Sequence, residues 1–128
     1  MRILLDTCTF LWLTIGRDNL SPNAVEIFID PKNEVFLSSV SAWEINMKYR
    51  SGKLSLPVSP ENFIPKERKR HMISRLDLSE EDTFHLVKLP DPHKDPFDRM
   101  LVCQAIQNSL TILTPDPLVT QYPVRSIW

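Results

Sequence analysis

The stretch Ile3-Leu4-Leu5-Asp6-Thr7 constrains this chain most: three branched aliphatic residues run straight into an acid and a hydroxyl. A run without polar alternation reads as a strand buried on both faces, as in a parallel sheet covered by helices. Val35-Phe36-Leu37 repeats the pattern, and Leu110–Leu113 is a further, largely apolar run. The carboxyl edge of such a sheet is where α/β folds bind ligands. Asp6 stands at that edge, although an acid after a strand can equally be the cap of the next helix.

Helical segments fall between these runs. Cys8–Ile15 carries Phe10, Leu11, Trp12 and Ile15, with Gly16 as its stop. Ser21-Pro22 is a hydroxyl cap followed by proline in the first turn, where a missing N–H costs nothing. Ser38, Ser39 and Ser41 can cap a helix running to about Ser51, ended by Gly52. Residues 53–60 form a loop with a short extended piece at Leu54 and Leu56. Ser59-Pro60-Glu61 opens another helix, which Pro65 is expected to break or restart. Ile73–Leu78 is a weaker strand. Ser79-Glu80-Glu81-Asp82 outlines a capping box and starts a helix to about Lys88. Asp95-Pro96-Phe97-Asp98 opens a helix with an apolar face of Phe97, Leu101, Val102, Ala105 and Ile106, and Val124–Trp128 is a last edge strand. Strands alternating with helices predict an α/β fold, a mainly parallel sheet with helices on both faces. The 128 residues are expected to form one domain.

Composition excludes several classes. The two glycines, Gly16 and Gly52, cannot make a glycine-rich phosphate cradle. Cys8 and Cys103 sit in apolar helical surroundings and read as buried thiols of a reduced, cytoplasmic protein. No apolar run approaches the ~18 residues of a membrane span, and no basic leader precedes an apolar stretch. The net charge of −1 leaves any attraction to nucleic acid local.

Four acids then form a pattern. Asp6 ends the first strand, and Glu44 lies one or two turns into the helix after the second. Asp98 is in the first turn of its helix, and Asp116 follows the strand ending at Leu113. Parallel connections of one hand bring the carboxyl ends of strands to one edge, so all four can face one cleft. Two carboxylates about 4 Å apart repel by roughly 4 kcal/mol at an effective dielectric near 20. Such a set shares protons or binds a cation. Oxygen donors without His or Cys suit a hard ion, Mg²⁺ or Mn²⁺, rather than zinc. Asp98 also reads as a helix-dipole acid and Asp116 as a turn acid. Glu44, among Val40, Ala42, Trp43, Ile45 and Met47, is harder to explain as structure alone. Trp12, Trp43 and Phe97 read as core or subunit interface, and His93 as a residue of the cleft rim.

The segments Leu4-Leu5-Asp6-Thr7, Ser41-Ala42-Trp43-Glu44-Ile45, Asp95-Pro96-Phe97-Asp98-Arg99-Met100-Leu101 and Thr114-Pro115-Asp116 resemble, in order, those of a PIN domain, with the best fit to VapC-type toxins of toxin–antitoxin pairs. The resemblance implies a three-layer α/β/α sandwich and a Mg²⁺- or Mn²⁺-dependent endoribonuclease. By similarity, Asp6, Glu44, Asp98 and Asp116 map onto the family's site acids, with Asp6 and Asp98 as principal metal ligands. Thr114 stands where the family often has a supporting hydroxyl, and Thr7 is placed to help similarly. Pro115 is an unusual neighbour and leaves Asp116 the least secure of the four. The resemblance also implies a homodimer and a small antitoxin partner.

An acidic cleft needs basic residues around it to hold RNA. Lys48, Arg50 and Lys53, and the cluster Lys66, Arg68, Lys69, Arg70 and His71, are the candidates for RNA or partner contact. The cluster reads equally as a solvated helix face. Two alternatives stay open: another metal-dependent phosphohydrolase or DNA nuclease, and a non-catalytic binding module with the same fold.

Overall fold

The computed structural model describes residues 1–16, 18–90 and 95–128. His93 lies outside the described residues. Five strands form one sheet: β1 Arg2–Leu5, β2 Glu34–Ser38, β3 Ser74–Leu76, β4 Thr111–Leu113 and β5 Ser126–Ile127. Their order is β3-β2-β1-β4-β5, and every pairing is parallel. Chain order therefore reverses direction across the sheet at the β1–β4 pair. That is the switch point where an open α/β sheet leaves a crevice beyond its carboxyl ends.

The apolar runs form strands because both faces are covered. Ile3, Leu5, Val35 and Leu37 point into one core with Phe10, Ala24, Ile27 and Phe63. Leu4, Phe36 and Ile112 point into a second core with Leu101, Val102, Ala105 and Tyr122. The first layer holds α1 Thr7–Thr14, α2 Pro22–Ile29 and α4 Pro60–Arg70. The second holds α6 Pro96–Asn108 and α7 Pro117–Thr120, with the short α5 Glu80–Thr83 against α6. Helix α3 Ser39–Arg50 sends Val40 to the second core and Ile45 to the first, and it touches α1, α4 and α6. It thus straddles the sheet edge at the end of β2. The architecture is the expected three-layer α/β/α sandwich.

Caps behave as their residue types dictate. Ser21 and Ser38 accept backbone N–H groups from Ala24 and Val40, and Ser79 with Asp82 completes a capping box. Gly52 adopts φ +77°, a left-handed conformation that glycine enters without steric cost.

Several expectations fail for tertiary reasons. Pro65 does not break α4: it is exposed, while Phe63, Ile64 and Glu67 on the same helix are buried. Packing of that face outweighs one lost hydrogen bond. The helix from Ser79 stops at Thr83, and a 3₁₀ turn follows at Leu86–Lys88. Phe84, Leu86 and Val87 are exposed, so no buried stripe supports continuation. Leu54 and Leu56 form no strand; they pin their loop against the first core. Cys8 is exposed, not buried, whereas Cys103 is buried as expected. Trp43 is 69% exposed and belongs to no core. Trp12 packs edge-on against Trp128, at 5.9 Å between centroids.

Leu4 is fully buried in the second core. Leu4→Ala is expected to destabilise the fold by about 2–5 kcal/mol, read as a lower denaturant midpoint at unchanged slope.

Candidate active site

Asp6, Asp98 and Asp116 are carried at the ends of regular elements, and Glu44 in the middle of α3. Asp6 follows β1 and is the N-cap of α1. Its Oδ1 accepts the Thr9 N–H at 2.8 Å, and its Oδ2 accepts the Thr114 hydroxyl at 2.5 Å. Thr114 follows β4, so this bond crosses the β1–β4 switch point directly. The same hydroxyl oxygen accepts the Asp116 N–H at 3.1 Å, and Asp116 caps α7 by accepting the Leu118 N–H at 2.9 Å. Asp95 caps α6 by accepting from the N–H groups of Phe97 and Asp98. That cap holds Asp98 in the first turn of α6. Glu44 is buried midway along α3, and its Oε2 lies 2.8 Å from Lys48 Nζ.

Asp6, Glu44 and Asp116 all act on Asp98. The Asp98 carboxyl is pushed up to about 7, first by burial and then by Asp95, Asp116, Asp6 and Glu44 in that order. Asp6 is also raised, by burial above all; its bonds from Thr114 and Thr9 oppose the shift and Asp116 adds to it. The Cys8 thiol joins the same neighbourhood. It is pushed up to about 11 by its partial burial against the cleft and then by Asp6, with Glu44 and Asp98 adding and Lys48 opposing. Cys8 is the cleft residue that sequence reasoning missed. Its place two positions after Asp6, on the first turn of α1, was the available signal.

The supporting residues divide. Thr114 is buried and bonded to Asp6. The Thr7 hydroxyl instead donates to Ser41 at 3.0 Å, tying α1 to α3 beneath the acids. Lys48 is inside the cluster. Arg50 and Lys53 are exposed, at the end of α3 and just beyond it. The second basic group goes elsewhere. Helix α4 begins beside Ser38 and Ser39, at the carboxyl end of β2, and ends with Arg70 and His71 beside Val35, at the amino end. Arg70 and His71 both pair with Glu67. Lys69 and Arg70 are therefore carried toward the edge opposite the acids, Arg68 in the last turn of α4 lines the same cavity as Ser38 and Ser39, and Lys66 is exposed. Trp43 and Phe97 line an apolar groove of about 380 Å³ with Val40, Leu78 and Met100.

Among the described residues no three acid, histidine or cysteine side chains form a ready-made metal cage. The donors are nonetheless hard oxygens, and burial with mutual repulsion disfavours their full ionisation, so a cation in their midst would relieve it. Few protein ligands and several waters are what Mg²⁺ accepts.

An all-parallel three-layer sandwich with carboxylates gathered at the switch point of its sheet defines the α/β class of this chain. The chain belongs to the PIN domain family, whose sequence profile matches residues 3–122. It is 38% identical over 56 residues to Ribonuclease VapC16 of Mycobacterium tuberculosis, a match spanning 44% of this chain and 40% of that protein. Its fold is similar to that of VapBC2 from Rickettsia felis bound to a promoter DNA fragment, with a TM-score of 0.76 at 18% identity over 100% of this chain and 99% of the other. DNA-bound VapBC from Salmonella typhimurium is similar at a TM-score of 0.67 and 18% identity, covering 99% and 97% of the two chains.

A carboxyl that titrates near 7 when folded, against an ordinary 3.8, adds stability while protonated and loses it as pH rises through the folded value. Asp98→Asn is thus expected to raise the melting temperature of metal-free protein at about pH 8 and to leave it unchanged near pH 4. Thermal melts in chelator at the two pH values check this.

Proposed function

We propose that this chain is a single-domain endoribonuclease dependent on Mg²⁺ or Mn²⁺, and the toxin of a toxin–antitoxin pair. The observation that carries the reading is that Asp6, Glu44 and Asp116, on three different elements, all act on the buried Asp98 carboxyl of a fourth and raise it. The likeness to a protein named as a ribonuclease, and to solved VapBC structures, supports the choice of substrate and partner.

Asp6 and Asp98 would hold the metal, with Glu44 and Asp116 completing its surroundings. When bound, the ion supplies a polarised phosphate oxygen and a water of lowered pKa. The chain's own residues do the rest. Thr114 fixes the rotamer of Asp6 through its hydroxyl, and the Asp95 cap fixes the first turn that carries Asp98. Glu44 and Asp116 would orient water and accept a proton from it. Arg50 and Lys53 draw the RNA backbone toward a pocket that would otherwise repel it.

The antitoxin's inhibitory segment carries Arg or Lys into the acids, replacing metal by charge compensation. The protein acts as a homodimer in the cytoplasm, and the apolar groove beside Trp43 and Phe97 is the surface suited to a subunit contact.

Purified protein is expected to cleave RNA in a chelator-sensitive manner, leaving single-stranded DNA and a generic phosphate ester intact. Asp6→Asn is expected to lower the rate at least about 10²-fold, the loss typical of removing one charge-stabilising group. Full cleavage by Asp6→Asn would refute the assignment, and turnover of the ester alone would favour a different phosphohydrolase. Charge reversal at Arg50 and Lys53 is expected to weaken RNA binding and to flatten its salt slope by about 0.7 for each phosphate no longer neutralised. The same reversal at Lys69 and Arg70 is expected to leave the slope unchanged, because those residues lie toward the far edge.

A further inference from the structure

Lys48 stands one turn beyond Glu44 on α3, with its ammonium 2.8 Å from the Glu44 carboxylate. Glu four residues before Lys is the favourable order on a helix. This is not an ordinary surface pair, however: the Glu44 side chain is 12% exposed and that of Lys48 38%. The same ammonium acts on Cys8 and responds to Asp95, so it stands within the carboxylate cluster. A tethered cation there occupies a lone-pair direction of Glu44 and repels any second cation that approaches.

We propose that Lys48 is the pocket's resident counter-cation, which competes with a divalent metal for Glu44 and so sets how tightly the pocket binds metal. The inference rests on reading the pocket as a metal site. Lys48 is a positioning residue that acts through Glu44, holding the carboxylate on the cleft side of α3 before metal arrives. Because the ammonium is partly exposed, solvent screens its repulsion and the effect is modest, not absolute.

Mn²⁺ affinity of the full chain, measured by electron paramagnetic resonance of the free ion, tests this with three proteins. Lys48→Gln keeps a donor for Glu44 and removes the charge; it is expected to bind Mn²⁺ about tenfold more tightly than wild type, a change of about 1.4 kcal/mol. Lys48→Arg restores the charge and is expected to return affinity to the wild-type value. Circular dichroism confirms that each variant is folded, and Lys48→Met serves if Lys48→Gln is not. Equal or weaker binding by the uncharged variant overturns the proposal, as does Lys48→Arg binding as tightly as Lys48→Gln. Wild type that binds Mn²⁺ but cleaves no RNA refutes the nuclease reading and leaves this inference standing. Absence of Mn²⁺ binding in all three proteins overturns both.

Discussion

Repulsion between carboxylates is the constraint around which this molecule is arranged. Asp6, Glu44 and Asp116 together make Asp98 harder to ionise, and Asp116 does the same to Asp6. The fold tolerates this because it meets the acids with hydrogen-bond donors. Asp6 takes a helix N–H and the Thr114 hydroxyl, Asp116 takes the Leu118 N–H, and Glu44 takes Lys48. Hydrogen bonds to the charged form oppose the cost of burial without removing it, as the raised Asp6 shows.

Capping and site chemistry are therefore one arrangement and not rival explanations. An acid at an N-cap has its side chain pinned by a backbone N–H, which fixes its rotamer. Asp6 and Asp95 cap α1 and α6, and the second cap aims the turn bearing Asp98. The reading as helix caps is correct for Asp6 and Asp95; Asp116, read as a turn acid, is the N-cap of α7; and in each case the cap holds the acid at the carboxyl edge. Two separate cores make that placement rigid. Ile3 and Leu5 are packed on one side and Leu4 on the other, so β1 cannot shift register without turning buried side chains into the wrong layer.

Features set by neighbours in sequence were legible; those set by neighbours in space were not. The apolar runs, the serine caps, the Ser79–Asp82 box and the Gly52 stop each depend on a few adjacent residues, and each forms where expected. The four acids were legible as a set because strand ends mark the sheet edge. Their resemblance to a known family supplied the order. Continuity of α4 through Pro65 depends on burial of Phe63 and Ile64 under the sheet, which no local pattern reveals. The early end of α5 reflects the lack of a surface to cover Phe84 and Val87. Separation of Lys69 and Arg70 from the acids follows from the direction of α4, fixed only once the helix is packed. The Glu44–Lys48 pair, by contrast, has i, i+4 spacing and was present in the sequence to be read.

Charge compensation links the separate parts of the proposed function. On that proposal a metal ion, the ammonium of Lys48 and a basic group from a partner would all relieve the same repulsion, and would be mutually exclusive to the extent that they reach the same oxygens. A proton is the fourth member of that set. Asp98, pushed up to about 7, would hold part of a proton at neutral pH that a cation bound there would displace. On the proposed function, occupancy of the pocket would be a competition among four positive species for a fixed group of carboxylates. Lys48, tethered one turn from Glu44, is held to that side of the cleft and can compete only there.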